Sequence, residues 1–170
     1  GGELANAPAA IQAATLEASK PNTHLQPGDE GTLSGTHWTV LGVLVKHASD
    51  DSSDQWEEYL LYNPTKQFSW LIFANYQWQF AEVLIQHPTL VGALANYDGK
   101  TLSQSESYRA HTDYAAGSFN WKVKVGDVCN VSEFKGGGIT LSRESTAEEV
   151  TWSKAMSVNG LDLLKSFGHE

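Results

Sequence analysis

The sequence predicts a mainly β chain: two successive antiparallel meanders forming a barrel or sandwich-like unit, with a short C-terminal helix and a short N-terminal helix. Three observations carry this. The stretch Trp56–Phe80, WEEYLLYNPTKQFSWLIFANYQWQF, holds three runs dense in Trp, Tyr, Phe and Leu, split by turn signals at Asn63-Pro64 and Asn75-Tyr76. That is the pattern of a tight meander whose aromatics line a covered face. From Asp29 onward, runs of β-forming residues alternate with turn residues, giving about ten strands. Asp98-Gly99 supplies a hairpin signal, since both turn positions favour positive φ.

The elements follow in order. Residues 8–18 (PAAIQAATLEA) are Ala-rich and predict a short helix, marginal unless it packs on something. Lys20–Gly28 contains two prolines and reads as a linker. The strand over 37–47 turns about Ser34-Gly35 and is apolar on both faces, Trp38, Val40 and Leu44 on one and Leu41, Val43 and Val45 on the other. Ala48–Asp54 is a polar hairpin loop, followed by strands near 55–62, 68–75 and 77–84. His87–Asn96 reads as a joint between halves. Further strands are expected near 107–114, 118–125, 128–135, 139–144 and 149–157, with Phe119, Trp121, Val123 and Val125 inward. Asn159 then caps a terminal helix with Leu161, Leu164 and Phe167 at helical spacing. The organisation expected is a tag, short helix and linker over 1–27, then one compact β domain over 28–170 with halves at about 28–86 and 95–170.

Composition excludes several functions. A net charge of −9, from 20 acidic residues against 11 Lys and Arg, argues against a nucleic-acid surface and against docking on anionic lipid. The single cysteine, Cys129, excludes an internal disulfide and a cysteine-rich zinc site. No apolar run approaches the roughly 20 residues that span a bilayer, and the N-terminus lacks the basic-then-apolar pattern of a signal peptide.

Read as a set, the motifs resemble the bacterial family catalogued as domain of unknown function 4178. They run from Gly28-Asp29 through Gly35, Trp38-Thr39-Val40 with Gly42, Trp56–Leu61, Trp70-Leu71, Trp78 and Phe80 to Tyr97-Asp98-Gly99. They continue with Gly117–Trp121, Val123–Asp127, Leu141–Glu144, Glu149–Ser153 and Leu164–Phe167. Two positions depart from the family pattern: Ser118 stands where an acidic residue is usual, and Gly136-Gly137-Gly138 replaces a proline pair, trading a stiff turn for a flexible one. The resemblance implies a β fold and a bacterial module that often accompanies other segments, at a cytoplasmic location or the cytoplasmic face of a membrane. It implies no reaction.

No catalytic signature stands out. The leading expectation is therefore a non-enzymatic interaction or structural module with an unidentified protein partner and no cofactor. The rival is a small-molecule or metal-dependent enzyme with a site between the halves, using Glu58, His111 and Glu144. A third reading, a carbohydrate-binding module, needs exposed aromatics, for which Tyr76 and Trp78 are the candidates; the bland reading of most tryptophans is core. Asp50, Asp51 and Asp54 crowd enough carboxylates to attract a hard cation, though a solvated hairpin tip explains them as well. Ser142 or Cys129 can be written into a triad with His111, but no GxSxG elbow exists. Glu57 and Glu58 alternate across a strand. Glu58 shares a face with Trp56 and Leu60, so if it points inward it needs a partner such as Arg109 or a tryptophan N–H.

Overall fold

The computed structural model describes residues 20–169 and the backbone of Gln12–Ala13. Twelve strands form one antiparallel system: β1 (Gln12–Ala13), β2 (Glu30–Leu33), β3 (Thr36–Ala48), β4 (Asp51–Asn63), β5 (Gln67–Ala74), β6 (Gln77–Val83), β7 (Thr89–Val91), β8 (Leu94–Tyr97), β9 (Lys100–Phe119), β10 (Val128–Gly136), β11 (Ile139–Ser145) and β12 (Val150–Val158). One helix among the described residues, α1 (Gly160–Ser166), follows. The strands β3, β4, β5, β6, β12, β11, β10 and β9 are neighbours in that order, and β9 pairs back onto β3. The result is a closed eight-stranded barrel made of two meanders, joined at β6–β12 and at the β3–β9 seam.

Local chemistry explains the corners. Asp98 and Gly99 both adopt positive φ, as the hairpin signal predicts, and so do Asn75 and Tyr76. Asn159 caps α1, its side-chain oxygen accepting from the Asp162 backbone N–H at 3.0 Å. The helix buries Leu163 and Phe167 and leaves Leu161 exposed, so its apolar stripe is turned from the expected one. The predicted helix over 8–18 lies outside the described residues except at Gln12–Ala13, where the backbone instead pairs with Phe119 and Ser118.

Three further expectations are corrected. The strands expected at 107–114 and 118–125 are one 20-residue strand, β9, which ends at Phe119. Gly117, at φ +90°, carries the chain through the supposed turn without breaking the pairing. Trp121 therefore lies beyond the strand and is exposed. The joint at 87–96 holds a small hairpin, β7–β8, which extends the sheet from β9. In β3 a bulge between Val40 and Gly42 shifts the alternation, so Val40 joins Val43 in one core and Leu41 joins Leu44 in another.

Apolar packing occurs in three places. Outside the first meander, Val43, Tyr59, Leu61, Leu71 and Trp78 are covered by Leu25 and by Leu163 and Phe167 of α1. Outside the second, Leu102, Phe134, Leu141 and Trp152 pack with Ala95 of β8. Within the barrel, Leu44, Leu60, Phe119 and Val123 fill one end. The rest of the interior mixes apolar side chains with charged and polar ones, and that is where the candidate site lies.

Candidate functional site

Residues directly opposite on paired strands share a face, so the register identifies the interior. Leu44 faces Glu58, Lys46 faces Trp56 and Thr112, Glu144 faces Val131 and Thr151, and Cys129 faces Ala110. Between them lies a cavity of about 830 Å³. One wall is apolar, from Leu44, Trp70, Ile72, Ala81 and Ala155; the other is polar, from Thr112, Cys129, Ser142, Glu144, Thr151 and Ser153.

A charged layer crosses the lumen. Lys46 Nζ sits 3.1 Å from Glu58 Oε1, and Trp56 Nε1 donates to Glu58 Oε2 at 2.8 Å. Glu58 thus points inward as one of the two sequence alternatives required, and a tryptophan N–H is indeed its partner. The cation beside it is Lys46; Arg109 is exposed at the rim. Tyr108 packs edge-on against Trp56 and donates to Glu133 Oε2 at 2.5 Å. Glu144 makes no side-chain hydrogen bond or ion pair within 4 Å among the described residues, and lines the open space.

The electrostatics of this layer are negative. Burial disfavours the Lys46 ammonium, but the carboxylates of Glu58 and Glu144 more than offset that, so Lys46 is held above its ordinary value and stays charged. Burial pushes the Glu144 carboxyl up; Glu58 and Glu133 add to the shift and Lys46 opposes it. Burial also raises the Tyr108 phenol, reinforced by Glu133. The Cys129 thiol is pushed up to about 11 by burial and then by Glu144. At pH 8 Cys129 should therefore react with methyl methanethiosulfonate about 100-fold more slowly than a free cysteine thiol of ordinary pKa. The rate should climb about tenfold per pH unit below the thiol pKa and be faster in Glu144→Gln. A rate matching free cysteine would contradict this environment.

The other sequence candidates separate. His111 lies on the outer face, its Nε2 hydrogen-bonded to Ser49 Oγ and its ring stacked on His47 at 5.0 Å; His47 Nδ1 contacts Asp113 Oδ2 at 2.7 Å. It therefore cannot join Glu58 and Glu144, nor form a triad with the lumen-facing Ser142 or Cys129. Tyr76 is 95% exposed but Trp78 only 4%, packed against Tyr59 and Phe73, so the expected exposed pair is corrected to a single turn tyrosine. Asp50, Asp51 and Asp54 are all exposed. Asp51 Oδ1 accepts from the Ser53 N–H and hydroxyl at 3.0 and 2.6 Å, which holds its carboxyl below the usual value. Among the described residues no group of three or more His, Cys, Asp or Glu is placed to hold a metal ion, and no helix is long and apolar enough to cross a membrane.

Lys46 is the site residue that sequence reasoning missed. A lysine in an alternating strand ordinarily reads as outward-facing, and its only sequence-level signal was that it sits two residues from Leu44 on the face that holds it.

No curated protein and no solved structure gives a significant match to the chain. The family model described as Domain of unknown function (DUF4178) matches residues 26–160, a span that contains every barrel strand and the whole charged layer. The chain belongs to that family.

Proposed function

We propose that the barrel is a small-molecule-binding module whose ligand occupies the lumen between the two meanders. The observation that carries this is the open interior bordered by Lys46, Glu58 and the unpaired Glu144. An eight-stranded barrel has room either for packed side chains or for one small ligand. Charged groups placed in a core solely for stability gain little over apolar ones, because desolvation offsets their attraction. Polar groups converging on an apolar-walled cavity are the usual form of a ligand site. The two halves contribute jointly, with Lys46 and Glu58 from the first meander and Cys129 and Glu144 from the second.

The interaction-module reading has its own support in the edge of β7, which pairs with no further strand among the described residues and where Leu90 and Val91 are exposed. That edge is three residues long, however, and short edge strands are a common way of avoiding pairing with other chains. The lumen is the better-supported site.

The test is native mass spectrometry of the protein against its denatured mass, paired with Ala155→Phe. A retained small molecule that Ala155→Phe loses is the expected result. Ala155 is buried against the lumen, so the added ring should enter open space and change stability by less than the roughly 1–3 kcal/mol typical of overpacking. A variant that binds the same molecule unchanged would overturn the reading.

A further inference from the structure

We propose that the lumen recognises a small organic cation, an alkylammonium, with Glu144 as its counter-ion. This deepens the reading of the barrel as a ligand-binding module and rests on it.

The argument begins with what lacks a partner. The lumen-facing cation, Lys46, is already paired with Glu58, and Glu58 has its second oxygen on Trp56. Glu133 takes the Tyr108 hydroxyl. Glu144 borders the cavity without a hydrogen bond or close ion pair among the described residues. A second acceptor belongs to a residue that lines the cavity: Asn120 Oδ1 is buried and has no hydrogen-bond partner among the described residues. Both unmet needs are for a donor, and an ammonium supplies three.

Charge points the same way. Three carboxyls, Glu58, Glu133 and Glu144, stand in this layer against one ammonium. Burial is the largest cause of each upward shift here; beyond it Glu133, Glu58 and Glu144 raise Tyr108, Glu144 and Glu58 raise Cys129, and Glu58 and Glu133 raise Glu144. The cavity lining as a whole carries more acidic than basic side chains: Asp127, Glu148 and Glu149 with Glu58 and Glu144, against Lys46, Arg109 and Lys122. An anionic ligand would meet this field with one ammonium already engaged, whereas a cation completes it. The apolar wall of Leu44, Ile72 and Trp70 accommodates an alkyl body, and the Trp70 ring can face a positive charge.

The test uses three probes of equal length that differ only in the head group: hexylamine, 1-hexanol and hexanoate, titrated calorimetrically into the intact protein at pH 7.5. Hexylammonium is expected to bind about tenfold or more tightly than hexanol, with hexanoate weakest. Glu144→Gln should weaken hexylammonium by about tenfold while leaving hexanol within about twofold, which also shows that the variant keeps its lumen. Hexanol or hexanoate binding as well as hexylammonium, or Glu144→Gln leaving the order unchanged, overturns the cation assignment and spares the lumen reading. Failure of all three probes to bind overturns both.

Discussion

Glu58→Ala should lower the unfolding free energy by about 3 kcal/mol, the low end of the range for stranding one member of a buried ion pair. The substitution removes the close counter-ion of Lys46 and the acceptor of the Trp56 N–H at once. Both Lys46 and Glu58 side chains are about nine-tenths enclosed, at 10% and 13% exposure, so solvent screens the loss poorly. Glu144, whose carboxylate also acts on Lys46, softens the penalty, which places it at the low end. The double variant Lys46→Met, Glu58→Met should lose less stability than Glu58→Ala alone, since neither member of the pair is then left without the other. Urea unfolding of the two single variants and the double variant forms the cycle that isolates the pair. A loss below about 0.5 kcal/mol for Glu58→Ala would mean that the pair behaves as an exposed surface salt bridge.

Gly117→Ala is the second large effect, expected at about 4 kcal/mol or more, or as failure to fold. Gly117 lies on the seam opposite Gly42, and a Cβ there would stand 2.2 Å from the Leu41 carbonyl oxygen and 3.1 Å from the Gly42 Cα. Both are backbone atoms, so no rotamer change relieves them. The positive φ adds about 1–2 kcal/mol. Gly126 separates the two causes: its φ is +95°, yet nothing lies within 4 Å of its added Cβ. Gly126→Ala should therefore show the conformational penalty alone, about 1–2 kcal/mol. Equal losses at the two glycines in chemical denaturation would show that β3 and β9 do not approach so closely.

What the sequence made legible was local. The three aromatic runs of 56–80 became β4, β5 and β6 because hairpins are set by neighbouring residues and short turn signals. The β10, β11 and β12 strands fell within one or two residues of expectation for the same reason. Glu58 was singled out because it alternates with Trp56 and Leu60, and alternation survives folding. The seam was not legible: β3 meets β9 from Gly42↔Gly117 to Ala48↔Ala110, far apart along the chain, and nothing in either strand names the other. The bulge at Leu41 was also invisible, since one extra residue moves a side chain to the opposite face without altering composition. That shift puts Leu44 and Lys46 on the Glu58 side. Glu144 was named only as a distant candidate, and its meeting with Lys46 required the barrel to close.

The cover over the first meander has a consequence for synthesis. Val43, Tyr59, Leu61 and Leu71 are buried beneath Leu163 and Phe167, which belong to the last element described. Ser166 fastens that element by accepting from the Thr32 N–H and donating to the Thr32 carbonyl, both at 2.7 Å. A ribosome making this chain therefore releases β3–β6 with their greasy outer side bare, and they stay bare until translation has passed Phe167. Throughout that interval the nascent chain displays a surface suited to chaperone capture, and the helix that ends the exposure is translated after every strand it covers.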